Sequence, residues 1–188
     1  MGYAAGTGES PREVTRMAST PAAKGSIPQE INGPRRSMLS GVLIGIGVAG
    51  FIDEAVFHQL LRWHHFYDLS TPSWALISDG LFHAGSWFCM VSGLFLFADL
   101  RRRDAWIALR HWSGFCLGLG GFQLYDGLVQ HKWWHIHEIR YHVGLLPYDL
   151  AWNIVAAAIL VVGILLVRRA QRAPEPPTPR HAAAASAR

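Results

Sequence analysis

Four apolar segments, each about 20 residues or longer, fix what this chain can fold into. They run over 38–62, 74–98, 106–131 and 147–168, the last containing "LAWNIVAAAILVVGILLV". Inside a bilayer no water is available to bond a free backbone amide, so each crossing segment must be a helix with its own closed ladder. The reading is therefore an all-α membrane protein with four transmembrane helices. Composition agrees: 51% of residues are hydrophobic and the mean hydropathy is +0.17. Nineteen glycines suit close helix packing, and eight tryptophans suit anchoring at the membrane interface. The net charge of +4 does not make a nucleic-acid binder, because the basic residues lie at the ends of apolar runs rather than in one patch.

Residues 1–36 are rich in Gly, Pro, Ser and Thr without an apolar period, which predicts a disordered N-terminal tail. No cleavable signal peptide is expected, since the first apolar run begins only near Met38. Residues 37–169 form the four-helix transmembrane domain, and residues 170–188 a second disordered tail that includes His181. The two cysteines, Cys89 and Cys116, sit inside apolar runs. They exclude a disulfide framework and argue against a thiolate metal site.

Arginine and lysine set the orientation. Arg35 and Arg36 precede the first span, Arg101, Arg102 and Arg103 fill the middle link, and Arg168, Arg169 and Arg172 follow the fourth span. The remaining links hold only Arg62, Lys132 and Arg140. Positive-inside bias then puts both termini in the cytoplasm and the links 63–73 and 132–146 outside, the periplasmic side in a bacterium. Asp53, His58, Asp79, His83, Asp126, His131, Asp149 and Asn153 all fall in the outward halves of their spans. The cytoplasmic halves are nearly pure aliphatic, glycine and aromatic.

The chain also repeats itself. At an offset of 73, Ser40, Gly41, Gly45, Gly47, Asp53, Val56, His58 and His64 match Ser113, Gly114, Gly118, Gly120, Asp126, Val129, His131 and His137. At an offset of 70, Asp79 matches Asp149 and His83 matches Asn153. The expected architecture is two parallel helical-hairpin repeats, with a pseudo-two-fold axis along the membrane normal. Gly41-x-x-x-Gly45 and Gly114-x-x-x-Gly118 predict close approach of the first and third spans at their cytoplasmic ends.

Ionisable groups at this depth are costly and face a bundle interior with partners or water. At 100° per residue, Asp53 and His64 share a face, while Glu54, His58 and His65 lie some 100–140° round. The same arithmetic puts Asp126 beside His137. Asp79 and His83, four residues apart, face one way. An imidazole whose second ring N–H meets a carboxylate is the usual arrangement of a metal-bound histidine. The ligand pool is His58, His64, His83, His131 and His137, with Asp53, Asp79 and Asp126 as ligands or orienting groups. Such donors suit copper(II), zinc or iron, and the lack of Cys and Met in the outer half disfavours Cu(I). A haem held by His58 and His131 is the lesser cofactor alternative. Either cofactor leaves open a haem- or di-metal-dependent redox enzyme, and a polar core or proton path without cofactor is the third reading. His135 and His142, in "HKWWHIHEIRYHVG", read as solvated interfacial residues, His111 as structural, and His65 as either capping the chamber or facing water.

The stretches "GVLIGIGVAGFIDEAVFHQLLRWHH", "SDGLFHA" and "YDGLVQHKWWHIHEIR" resemble the bacterial membrane family called domain of unknown function 2243, over roughly residues 38–168. Glycine is usual in that family after the first Asp, where Glu54 stands here, and Gln123 stands where Asn is common. The resemblance implies a four-span protein of the bacterial inner membrane. It also implies company with copper-handling assembly factors of terminal oxidases and hence a metal-delivery role, so a membrane oxidase or assembly factor is the expected partner besides the lipid.

Overall fold

The computed structural model describes residues 1–2 and 33–172. Most of both expected tails, and His181 with them, lies outside these residues. The described chain is all-helical: α1 (Gly33–Ile52) continuing as a π-helical segment π1 (Asp53–Leu60), α2 (Pro72–Arg102), α3 (Ala108–Tyr125) continuing as π2 (Asp126–Trp133), and α4 (Leu146–Arg172). The first helix begins at Gly33 and the last ends at Arg172, so they take in short stretches assigned above to the tails. Gly33–Leu60, Pro72–Arg102 and Leu146–Arg172 are each long and apolar enough to cross a membrane.

The helices form a row rather than a closed square. α1 packs on α3, α2 on α1 and α4 on α3, while α2 and α4 do not meet. The outer pair consequently presents large apolar side chains to its surroundings, Leu81, Phe88 and Phe95 on α2 and Ile154, Val155 and Leu165 on α4. Apolar exposure on this scale belongs in lipid, not in water.

Glycine lets α1 and α3 touch backbone to backbone. A Cβ at Gly41 would fall on the carbonyl of His111, and one at Gly114 on the carbonyl of Met38. Gly45 and Gly118 meet the carbonyls of Phe115 and Val42 in the same way. Near these crossings Ser40 Oγ lies 2.9 Å from His111 Nδ1, and Ser37 Oγ accepts from the amide of Ile107 at 3.0 Å. Asp99 near the end of α2 accepts from Arg36, Arg102 and Arg103, each at 2.8 Å, which ties the start of α1 to the α2–α3 link.

At the opposite end each π segment opens into a sharp reversal. The amides of Leu61 and Trp63 reach back to the carbonyls of Val56 and Phe57 at 2.8 and 2.9 Å. Those of Trp134 and Ile136 do the same to Val129 and Gln130 at 2.7 and 3.0 Å. Each reversal pivots on one left-handed residue, Arg62 with φ 52° and His135 with φ 48°. This conformation costs an L-residue roughly 1–2 kcal/mol, and a β-branched side chain suffers most. Arg62→Gly is expected to leave thermal stability in detergent unchanged or raised by up to about 1 kcal/mol, and Arg62→Val to lower it by at least that much.

Candidate metal centre

The π segments decide which side chains meet. In an α-helix, residues five apart point in different directions, and the 100° geometry accordingly set His58 well away from Asp53. The i→i+5 ladder of a π-helix instead brings such residues into line. His58 Nε2 lies 3.6 Å from Asp53 Oδ2, and His131 Nε2 lies 3.1 Å from Asp126 Oδ2. His64 and Asp53 also meet, but for a different reason than a shared helical face. The helix has ended at Leu60, and the reversal at Arg62 folds His64 back over the helix end, its Nε2 3.9 Å from Asp53 Oδ1. His137 returns likewise after His135, its Nε2 3.6 Å from Asp126 Oδ1.

The two loops lock each other's imidazoles. His64 Nδ1 donates to the carbonyl of Ile139 at 2.9 Å, and His137 Nδ1 donates to the carbonyl of Phe66 at 2.9 Å. A carbonyl only accepts, so the proton of each ring is fixed on Nδ1 and each Nε2 carries a free lone pair. The two rings stack at 4.6 Å and 3°, with His58 4.6 Å from His64 and His131 4.8 Å from His137. These four imidazoles are 0–4% exposed, and Asp53 and Asp126 are each 1% exposed. Yet the Nε2 atoms of all four histidines, with Asp53 Oδ1 and Asp126 Oδ2, have no hydrogen-bond partner. Native proteins rarely leave buried polar atoms unmet, and a bound cation would accept these unshared lone pairs. Two three-residue groups in the cluster, Asp53/His58/His64 and His64/His131/His137, bring their ligand atoms within 4.8 Å of one another.

Around His58 a further shell holds the ring. Its Nδ1 lies 2.8 Å from Glu54 Oε2 and 3.2 Å from Asp79 Oδ1. Glu54 accepts in turn from Gln59 at 2.7 Å, and Asp79 from the Phe66 amide at 2.8 Å and from His65 Nδ1 at 2.6 Å. Glu54, His58 and Asp79 make a third group with metal-ligand spacing. Asp79 thus stands behind His58 rather than inside the ring of four imidazoles.

Of the histidines picked out by sequence, His83 is not brought to the cluster. It accepts from Trp87 Nε1 at 3.1 Å on the flank of α2 and packs beside Phe51. Asp149 and Asn153 do not reproduce the Asp79 arrangement either, because Asp149 pairs with Lys132 at 2.6 Å. Glu54 and His65 belong to the site although neither stood in the ligand pool. The i,i+4 spacing of Glu54 and His58 carried a signal for the first. The helical arithmetic grouped the second with Glu54 and His58 and left it capping the chamber or facing water; its partner Asp79 lies 14 residues away. His135 is solvated as expected, and Cys89 and Cys116 are free thiols within α2 and α3.

His64, in the loop beyond the first candidate span, is pushed down to about 2, first by burial and then by the neighbouring imidazoles of His137 and His58. It therefore stays neutral and available as a ligand in mildly acidic conditions. The unfolded chain takes up a proton below about 6.5 while the folded ring does not, so this site's stability is present above that pH and is lost as pH falls toward the folded value. Metal-free wild type is expected to lose up to about 1.4 kcal/mol per pH unit more than His64→Gln below that point, measured by thermal unfolding in detergent.

A lipid-exposed helical row carrying a buried imidazole–carboxylate cage at one end defines a helical membrane protein with a candidate metal centre. The chain belongs to the family described as predicted membrane protein (DUF2243), whose model matches residues 40–170. No curated protein and no solved structure matches the chain.

Proposed function

We propose that this protein binds a transition metal, copper, zinc or iron, in the outward-facing leaflet of the membrane, through His58, His64, His131 and His137 with Asp53 and Asp126. The observation that carries the reading is the convergence of unpartnered, buried Nε2 atoms whose opposite ring nitrogens, in His64 and His137, are fixed by backbone carbonyls. A purely structural polar core would have spent those lone pairs on donors. Four rings in successive contact at 4.6–4.8 Å leave no slot for a macrocycle between them, so an ion suits the cage better than haem.

The same reading includes four spans and two related hairpins. α3 with π2 lies between α1 and α4, both long enough to cross, and a helix in that place shares their environment. Matched distances support the pseudo-two-fold relation: His64 to Ile139 and His137 to Phe66 are both 2.9 Å, and both reversals pivot on left-handed residues 73 apart. The arginine distribution supports a reading with the termini in the cytoplasm and the cage at the periplasmic side of a bacterial inner membrane. Metal handling for a respiratory oxidase is the role we infer from the family resemblance. Elemental analysis of the purified full chain tests the core of this reading. At least one equivalent of copper, zinc or iron is expected, and protein that neither carries nor takes up any of them would contradict it.

A further inference from the structure

The cage offers six ligating side chains, His58, His64, His131, His137, Asp53 and Asp126, more than a tetrahedral ion takes. Its four rings stand in a row, His58–His64–His137–His131, with the inner pair stacked and the outer pair at opposite ends. Each carboxylate addresses the two rings of its own half with one oxygen apiece: Asp53 faces His58 and His64, and Asp126 faces His131 and His137. Charge points the same way. Asp53, Glu54, Asp79 and Asp126 are all 1–2% exposed, and among the described residues none of the four meets a lysine or arginine. Their ionic partners are imidazoles alone, and divalent ions would compensate carboxylate charge that is expensive to bury.

Resting on the metal reading above, we propose that the centre holds two divalent transition-metal ions, one on Asp53, His58 and His64 and one on Asp126, His131 and His137, and that the first is bound more tightly. The difference arises behind the rings. His58 Nδ1 donates toward the carboxylates of Glu54 and Asp79, whereas His131 Nδ1 has no partner. Gly127 occupies the position matching Glu54, and even a Cβ there would lie 2.6 Å from Asn153 Oδ1. A carboxylate behind a ligating imidazole raises its basicity, and losing such a partner weakens metal affinity about 10–100-fold.

The test is a Zn²⁺ titration of chelator-stripped full-length protein in detergent against a competing chromophoric chelator, with elemental analysis of the loaded samples. Wild type is expected to take two equivalents. Asp53→Asn and Asp126→Asn, which keep side-chain shape, should each take one, and Glu54→Gln should weaken the tighter equivalent about 10–100-fold while leaving the other unchanged. Monodisperse elution and unchanged helical circular dichroism establish that each variant is folded. Should a variant fail that check, wild-type stoichiometry still decides. One equivalent in wild type, or two that neither Asp variant reduces, overturns the two-ion proposal and leaves a metal centre standing. No Zn²⁺ bound by wild type removes the metal reading itself.

Discussion

The His64→Ala/His137→Ala double variant is expected to lose metal affinity by at least about 100-fold, since removing an outer partner alone costs 10–100-fold and here two ligands go. Both rings sit at the middle of the imidazole row, so no pairing of the remaining donors spans the cage. Each replacement also deletes a bond between loops, from His64 to Ile139 or from His137 to Phe66. The His64→Gln/His137→Gln pair separates these effects, because a glutamine amide can donate to the same carbonyl but supplies no imidazole nitrogen. It should recover much of the loop stability and none of the metal, read by thermal unfolding and elemental analysis on the same samples.

The second large effect concerns the helix crossing. Gly114→Val places a Cβ on the carbonyl of Met38, and backbone, unlike the end of a flexible side chain, cannot swing aside. Overpacking of ordinary cores costs about 1–3 kcal/mol, and a clash against backbone belongs at or above the top of that range. Separation of α1 from α3 also separates π1 from π2, so the variant should lose metal together with stability. Gly80→Ala and Gly85→Ala provide the contrast. Nothing lies within 4 Å of a Cβ at either position, and each should be neutral or gain up to about 1 kcal/mol from helix propensity. Fluorescence-detected elution after a heat step resolves the two classes.

Much of this architecture was legible in the residues. Apolar runs marked the four helices, three of which are long and apolar enough to cross a membrane, and the Gly-x-x-x-Gly pairs marked where α1 and α3 touch, because close approach needs small residues at a fixed period. The offset of 73 placed Asp53, His58 and His64 against Asp126, His131 and His137, the six residues that form the cage. What the sequence concealed was helical pitch. A π-helix has no propensity signature, so α-helical arithmetic turned His58 away from Asp53, and it brought His64 to Asp53 along a helix that in fact stops at Leu60. His83 looked like Asp79's companion at i,i+4, but it lies on the flank of α2 beside Phe51 and Trp87, outside the site. The capping carbonyls of Ile139 and Phe66 were invisible for a plainer reason: every residue carries one.

X-ray absorption at the zinc edge of the loaded wild-type protein addresses the coordination directly. The expected spectrum has nitrogen and oxygen neighbours at about 2.0–2.1 Å together with the outer-shell scattering of imidazole rings. A first shell of water oxygens without imidazole scattering, or sulfur at about 2.3 Å from Cys89 or Cys116, would contradict a centre built from these histidines.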